Sequence, residues 1–332
     1  MASIGNESLT LPGNISLQLQ GHVADNPNGY CYSGINGEAV LSMNPAQPDS
    51  VYGHYAASDG KSFILEYCGS NSYVVKELDT VTMAEEGEPS LDIDDAVDIF
   101  TIYYIIDTLK AEVDNTTIVE YSVKFYYTEE LEADTADLDG FLQLVIDETN
   151  QGYVNSGIPL RIKAHCPQKV DIAESGDASQ LLNALTNLNG GNYETTRDGA
   201  DAAALIVLNL DYCGVAWLNT ISSGKTFSVT AKSCATGYYS FGHEIGHNIG
   251  AHHNPEVATN NAFPYGRGHL IEQGTAATGY RTIMAYYKAG FRTRVNYWSN
   301  PSINYPLTGT ATGVAEVSNN AAVLTSKGLI LQ

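Results

Sequence analysis

Residues 241–253 carry the pattern that most constrains this chain, because three of their four histidines and one glutamate stand at a spacing that suits a metal site. His243 and His247 are four residues apart, so on a helix both imidazoles project from one face and both Nε2 atoms can reach a single metal ion. Glu244 lies one residue round from His243, close enough to take a proton from a metal-bound water without being a ligand. The spacing therefore predicts a helix that presents a metal site.

A third ligand requires the chain to leave that helix. Gly250 can do so at low cost, since glycine adopts left-handed and strained turns freely, and the turn would bring His253 back to the ion. Three neutral nitrogen ligands with a fourth position open for water are typical of catalytic zinc, whereas structural zinc sites are closed with Cys and His. We therefore expect one catalytic Zn²⁺ held by His243, His247 and His253.

The motif is followed by Thr282-Ile-Met-Ala-Tyr286, and the two together resemble the zinc motif and Met-turn of the metzincin metalloproteases. Other segments resemble the reprolysin-like branch of that family, and the likeness covers roughly residues 117–325. The segments that carry it are 197–207, 213–218, 234–235 and 297–301.

The resemblance implies a zinc-dependent endopeptidase in which Glu244 is the general base towards the attacking water. It places Met284 beneath the three histidines as an apolar base, with Gly250 as the structural turn. Tyr286 is either a second catalytic group that stabilises the oxyanion or a packed aromatic residue.

The resemblance also implies how a protein or peptide substrate is bound. The strand Gly214, Val215, Ala216 and Trp217 corresponds to the sheet edge to which an extended peptide adds as a further strand; an ordinary sheet edge is the alternative. Residues 291–309 are expected to wall the pocket for the residue after the scissile bond.

Hydrophobic periodicity predicts the fold around this site. The predicted strands cover 117–127, 160–164 and 202–210, and the predicted helices cover 137–153, 178–188 and 315–327. We expect an α+β, α/β-like metzincin catalytic domain over residues 117–332, with a twisted mixed sheet, a zinc helix and a Met-turn.

Residues 1–84 predict a small β-rich domain, with short strands over 15–23, 39–43, 51–55, 62–67 and 73–75. Placed ahead of a protease domain, it resembles the β-rich propeptides of reprolysin-like zymogens, which implies a folding aid and an inhibitor of its own enzyme. A separate β module that only tethers the enzyme is the alternative.

Residues 85–116 predict an acidic linker and activation segment, because seven acidic residues fall between 85 and 98. The bond cut on maturation is expected near residues 110–117. An anion from the N-terminal part could block the zinc, and the candidates are the Cys68 thiolate and an aspartate of the acidic run.

The net charge of −22, from 38 acidic and 16 basic residues, repels phosphate backbones and anionic membranes and so argues against both as partners. No run of 18 apolar residues exists to span a bilayer. A candidate from another class is a catalytically silent, extracellular zinc-binding structural or adhesive protein on the same fold.

Five cysteines are placed in a way that favours two disulfides and one free thiol. Cys31 and Cys68 bracket one β-rich stretch, Cys213 and Cys234 bracket another, and Cys166 is left over. Two disulfides indicate an oxidising compartment and hence a secreted protein. Reduced, buried cysteines in a cytosolic protein are the alternative.

Overall fold

The computed structural model describes residues 8–11, 15–23, 26, 28–34, 37–47, 49–70, 72–79, 83–91, 118–257, 263–273 and 279–330. The cut predicted near residues 110–117 lies outside the described residues. The domain boundaries at 84 and 117 therefore stay predictions.

The N-terminal sheet contains β1 (Ser8–Leu11), β2 (Ile15–His22), β3 (Gly29–Gly34), β4 (Gly37–Met43), β5 (Val51–Ala57), β6 (Ser62–Tyr67) and β7 (Tyr73–Leu78). Each strand pairs antiparallel with the next one along the chain, as short polar turns between strands favour. The five predicted strands are confirmed, and β1 and β3 lie outside them.

The central sheet contains β8 (Ser90–Leu91), β9 (Val119–Tyr127), β10 (Leu160–Lys169), β11 (Ala202–Val207), β12 (Gly214–Leu218) and β13 (Phe227–Ala231). Its order is β10-β9-β11-β13-β12-β8. The β12/β13 pair is antiparallel and the other pairs are parallel, so the sheet is mixed, as expected. Strand β11 is buried along its whole length, which its continuous apolar sequence requires.

The helices of the described residues are α1 (Glu129–Asp134), α2 (Leu138–Asn155), α3 (Ala178–Thr186), α4 (Leu188–Gly191), α5 (Tyr193–Arg197), α6 (Lys232–Ala235), α7 (Ser240–Ile249) and α8 (Asn320–Ile330). Asp137 and Asp177 cap α2 and α3 by accepting backbone N–H bonds. The closing helix begins at Asn320 and not at residue 315, because Glu316 has a φ of 64° within a turn. None of the helices in the described residues has the length and apolar character that crossing a bilayer demands.

A small third sheet follows the histidine motif. It contains β14 (Leu270–Glu272), β15 (Gly279–Arg281) and β16 (Thr293–Arg294). β14 pairs antiparallel with β15, and β15 pairs parallel with β16. The Met-turn lies between β15 and β16, so this sheet holds both ends of the turn.

Helix α2 joins the N-terminal sheet to the central sheet. It contacts β4 and β5 on one side and β10 on the other. Val40 and Tyr52 of the N-terminal sheet belong to the same buried cluster as Phe141 of α2 and Phe125 of β9. The two sheets therefore share one apolar core, which burial of this surface stabilises.

Buried polar groups also cross the junction between α2 and the N-terminal sheet. Asp147 accepts hydrogen bonds from Ser42 at 2.6 Å and from Asn26 at 2.7 Å. His54 lies 2.8 Å from Glu148, measured from Nδ1 to Oε1. Burial raises the pKa of Asp147 to about 6, while the hydrogen bonds it accepts act in the opposite direction.

The cysteine prediction is half right. Cys213 and Cys234 form a disulfide that joins the start of β12 to α6, just before α7. The predicted Cys31–Cys68 bridge is wrong, and both thiols are free, as is Cys166. Cys31 lies in β3 and Cys68 follows β6, three strand spacings or about 14 Å away, whereas a disulfide needs Cα atoms within about 7 Å.

Candidate active site

Helix α7 is fixed against the central sheet before it presents any ligand. It begins at Ser240 after Tyr239, whose φ of 63° turns the chain into the helix. From its last turn, the Asn248 side-chain amide donates hydrogen bonds to the carbonyl oxygens of Trp217 at 2.8 Å and Phe227 at 3.1 Å. One polar side chain thus ties the helix to both β12 and β13, and the direction of the helix is set.

The structure brings His243, His247 and His253 together. The Nε2 atom of His253 lies 3.1 Å from that of His243 and 3.0 Å from that of His247. All three side chains are buried. Within the described part of the chain, these three residues form a group that could hold a metal ion. A point about 2.0–2.1 Å from each nitrogen, the usual zinc distance, fits this spacing.

Backbone carbonyls orient two of the three rings. His243 Nδ1 is 2.9 Å from the carbonyl oxygen of Ile283, and His247 Nδ1 is 2.9 Å from that of Ala251. Each Nδ1 donates its proton there, which leaves the Nε2 lone pair directed at the common point. Burial lowers the pKa of all three imidazoles, to about 4 for His243. The three rings are therefore neutral at neutral pH, as metal ligands must be.

Gly250 makes the turn that the third ligand needs. Its φ is 121°, and its N–H bonds to the carbonyl oxygens of Gly246 and His247 close the end of α7. A Cβ atom at this position would lie 2.8 Å from the Phe263 ring. Both the positive φ and the lack of room for a Cβ atom thus require glycine here. The chain can then turn back and place His253 beside the other two histidines.

The Met-turn lies under and beside the histidines. Met284 is fully buried, and its sulfur lies 3.2 Å from where a Cβ on Gly246 would be, so it packs against α7 at the residue before His247. The Tyr286 ring centroid is 3.9 Å from that of His253. Burial raises the pKa of Tyr286, so its hydroxyl is protonated and can donate.

Glu244 differs from the buried groups around it because neither of its carboxylate oxygens has a hydrogen-bond partner among the described residues. Its side chain lies against Gly214, where a Cβ would come within 2.6 Å of Oε1. Burial, with a smaller contribution from the Glu86 carboxylate, raises the pKa of Glu244 well above its usual value. The predicted substrate edge thus has a glycine where the Glu244 carboxylate needs room.

Residues 83–91, here called the cleft segment, lie along the predicted substrate edge. The N–H of Cys213 donates to the carbonyl oxygen of Glu85 at 3.0 Å, and the N–H of Gly87 donates to that of Gly214 at 2.7 Å. Further on, β8 pairs parallel with β12. The Tyr286 hydroxyl donates to the Glu86 carbonyl oxygen at 2.6 Å. The cleft segment thus binds both the backbone of the predicted substrate edge and the Tyr286 hydroxyl.

Two glutamates of the cleft segment pair with two arginines that flank the Met-turn. Glu86 Oε2 is 2.6 Å from Arg294 Nη2, and its Oε1 contacts Arg294 Nη1. Glu85 Oε2 is 2.9 Å from Arg281 Nη1 and 3.2 Å from Arg294 Nη2. Although burial alone would raise the pKa of Glu86, Arg294 and other hydrogen-bond donors hold it well below its usual value. Both carboxylates thus lie in contact with arginine side chains, unlike the solvated run expected of a linker.

The aspartates that are candidates to block the zinc, at 92, 94, 95 and 98, lie outside the described residues. Cys68 is exposed at the end of the N-terminal sheet. The carboxylate of the cleft segment recorded near a histidine is Glu88, whose Oε1 is 3.7 Å from His253 Nδ1. In the described residues the cleft segment lies along β12, beside the histidines.

Sequence reasoning missed Arg281, Arg294, Glu86 and Ser240. A signal was present, because a chain with only 16 basic residues carries three arginines at 281, 292 and 294, beside the predicted pocket wall. The pairing of Arg281 and Arg294 with glutamates some 200 residues earlier depends on the three-dimensional fold.

Comparison with known proteins gives a consistent result. The peptidyl-Asp metalloendopeptidase of Stenotrophomonas maltophilia strain K279a is 37% identical over 196 residues, which cover 57% of this chain and 46% of that relative. The peptidyl-Asp metalloendopeptidase of Pseudomonas fragi is 34% identical over 160 residues, which cover 48% of this chain and 87% of that relative. A solved structure titled as a chaperone-substrate complex matches the fold with a TM-score of 0.50 and 15% identity, over 81% of this chain and 38% of that one.

The chain spans about half the length of the first of these relatives. The profile of a reprolysin-type family, described as metallo-peptidase family M12, matches residues 117–299. That match includes β9 to β13, helix α7, the three histidines and the Met-turn. This chain belongs to metallo-peptidase family M12.

Proposed function

We propose that this protein is a secreted zinc-dependent endopeptidase that is made as a zymogen. The observation that carries the proposal is the unpartnered, buried carboxylate of Glu244 beside three neutral histidines, at an edge that accepts an extended chain. A buried carboxylate without partners costs stability. Such a group is typical of a site where it has a chemical role.

Zinc fits the donor set because all three ligands are neutral imidazole nitrogens, which suit zinc better than magnesium or calcium. When bound, zinc supplies Lewis-acid polarisation of the substrate carbonyl and an acidified water. Glu244 then accepts the proton of the attacking water and returns it to the leaving amine. Its raised pKa suits a group that must both take and give a proton near neutral pH.

Two further groups of this chain act on the substrate. The backbone of β12 binds an extended peptide, since its N–H and C=O groups already bind the cleft segment. The Tyr286 hydroxyl donates to a peptide carbonyl oxygen in the present arrangement, at 2.6 Å from that of Glu86. It can donate in the same way to the carbonyl oxygen of a bound substrate.

The zymogen proposal is supported by the cleft segment. A substrate peptide and residues 83–91 need the same edge of β12 and the same tyrosine hydroxyl, so they exclude each other. Proteolysis downstream of residue 91 would free the segment to leave together with the N-terminal sheet. The Cys213–Cys234 disulfide supports export to an oxidising compartment.

The relatives' name supports a narrower substrate class. Both are called peptidyl-Asp metalloendopeptidases, and we extend to this chain the proposal that it cuts peptide bonds next to aspartate.

The test combines zinc content with hydrolysis of a denatured protein, measured on the intact chain and after limited proteolysis between residues 92 and 117. We expect one equivalent of zinc in both forms and hydrolysis only after the cut. Glu244→Gln, nicked in the same way, is the control for contaminating protease. Bound zinc with no hydrolysis in either form would favour the silent structural or adhesive protein.

A further inference from the structure

The guanidinium group of Arg294 is buried beneath the proposed substrate cleft, at the base of a pocket that side chains of the cleft segment occupy. Glu86 enters this pocket and binds both terminal nitrogens of Arg294 in a fork, while the Ser240 hydroxyl donates to Glu86 Oε1 at 2.7 Å. Arg294 itself is held by the carbonyl oxygen of Tyr238 at 3.0 Å and lies 4.3 Å from the Tyr238 ring centroid. This pocket is built to hold a carboxylate.

The mouth of the pocket is next to the reacting groups. Ser240 and Glu244 are four residues apart on α7, so they share a helix face and the pocket opens one turn from the proposed base. The backbone of Glu86 is held at the same place, because its carbonyl oxygen accepts from Tyr286 and the next N–H reaches Gly214. A substrate residue with its backbone in that position adjoins the bond that is cut.

The carboxylates that the structure records beside Arg294 both belong to the cleft segment. They are Glu86 and, at 3.2 Å from Nη2, Glu85. If the segment leaves on maturation, the catalytic part keeps a buried cation without a carboxylate partner. A buried charge in that state is strongly destabilising, so the mature pocket selects a ligand that brings a negative charge.

We propose that this pocket, with Arg294 at its base and Ser240 on its wall, is the specificity subsite that binds an acidic substrate side chain next to the scissile bond, and that Glu86 occupies it in the uncut chain as a substrate mimic. The proposal rests on the proposed endopeptidase function. It adds the residues that recognise the substrate and a second role for the acidic run, since Glu86 plugs the specificity pocket while the backbone covers the cleft.

The first experiment reads the cleavage preference of the nicked chain on peptides from a denatured protein mixture, and then on two synthetic peptides that differ only by Asp or Asn at the selected position. Leaving one partner of a buried charge pair without the other is costly, so we expect wild-type kcat/KM to favour the Asp peptide by about 30- to 5000-fold. Arg294→Gln should bring that ratio to within about threefold. Arg294→Lys should recover part of it.

If Arg294→Gln does not fold, the charge exchange Glu86→Arg/Arg294→Glu keeps a buried pair and should shift cutting towards basic side chains. Nicked wild type that cuts without an acidic preference, or Arg294→Gln that keeps the preference, overturns this inference and leaves the endopeptidase proposal standing. Absence of any hydrolysis by nicked wild type counts against the endopeptidase proposal, and the pocket is then judged by binding alone.

The binding experiment uses the full chain and needs no activity. Glu85→Ala/Glu86→Ala empties the pocket of both carboxylates, and its Tm is measured with sodium propionate, with propionamide and with sodium chloride at equal concentration. We expect only propionate to raise the Tm, and we expect no such rise in Glu88→Ala or after adding Arg294→Gln. Equal effects of propionate and propionamide, or a rise that survives Arg294→Gln, would show that the pocket does not select a carboxylate.

Discussion

Two buried glutamates lie on either side of the cleft, and their surroundings are opposite. Glu244 on α7 has no hydrogen-bond partner among the described residues, while Glu86 of the cleft segment binds Arg294 in a fork and accepts from Ser240. The pKa of Glu244 is raised well above the usual value and that of Glu86 is held well below it. Burial is common to both, so the neighbouring charges decide the difference.

The comparison of Glu244 with Glu86 shows how one cleft can provide one carboxylate suited to proton transfer and another suited to binding. A carboxylate without partners exchanges a proton readily, because no ion pair has to be broken when it is protonated. A carboxylate in a fork with arginine is permanently ionised and serves for binding. The fold creates the first state by facing Glu244 with glycine and the second by placing two arginines around the Met-turn.

The largest expected effect comes from removing the unpartnered carboxylate. Glu244→Gln in the nicked chain should lower kcat/KM for protein hydrolysis by about 1000-fold, within the range typical of a lost general base. Zinc content should not change, because Glu244 is not a ligand, and the Tm should stay level because the substitution breaks no hydrogen bond of the Glu244 oxygens. Kinetics, metal analysis and thermal unfolding measure the three quantities.

The matched control is Glu132→Gln on α1, which exchanges a glutamate paired with Lys169 at the surface. A Glu244→Gln protein that keeps more than a tenth of wild-type activity, or that loses its zinc, contradicts the assignment of this carboxylate as the base.

The second effect concerns the paired carboxylate. Glu86→Gln removes one partner of a buried ion pair, so the free energy of unfolding of the intact chain should fall by about 3–5 kcal/mol. The loosened cleft segment should also let the intact chain hydrolyse some substrate before any cut. Denaturant unfolding and an activity assay on the intact chain check both outcomes.

Glu88→Gln is the control on the same segment, since the Glu88 side chain is 65% exposed, and it should change stability by less than about 0.5 kcal/mol. If Glu86→Gln and Glu88→Gln were equally stable, the ion-paired Glu86 and the exposed Glu88 would contribute equally to stability, contrary to this prediction.

Much of this site follows from local sequence. His243 and His247 follow from helical spacing, and Gly250 follows from the need for a turn that only glycine tolerates, since its φ is 121°. The strands and helices predicted before α7 are present in the predicted order, although β13 was not predicted, because apolar periodicity over 137–153 and the continuous run after residue 202 reflect burial directly.

The pairing of Glu86 with Arg294, which we propose as the substrate-recognition part of the cleft, could not be predicted from local sequence. Glu86 and Arg294 are 208 residues apart and meet only because the N-terminal sheet packs on α2 and directs the cleft segment along β12. The acidic run reads as a solvated linker when only neighbouring residues are considered. The Cys31–Cys68 prediction was wrong for the same reason, since strand order within the N-terminal sheet decides which cysteines meet.

A third buried carboxylate, Asp147 on α2, provides the smallest test of the comparison because its recorded partners are neutral. Ser42, Asn26 and Gln143 donate to it, and burial raises its pKa from 3.8 to about 6. The folded protein therefore holds this proton more tightly than the unfolded chain. The stability that the protonated group provides is fully present below about pH 4 and is lost as the pH rises through about 6.

Asp147→Asn should remove this pH dependence. The free energy of unfolding of the wild type, minus that of the variant, should therefore fall by about 2–3 kcal/mol between pH 4 and pH 7. Asp139→Asn, exposed on the same helix, is the matched control. Denaturant unfolding across that pH range measures the difference. If the difference in unfolding free energy does not change with pH, neutral donors stabilise the ionised Asp147 carboxylate as well as Arg294 stabilises that of Glu86. Pairing with a charged group would then no longer distinguish Glu86 from the other buried carboxylates. A fall of the expected size would place Asp147 between Glu86 and Glu244, with partners sufficient to bury the group but insufficient to keep it ionised.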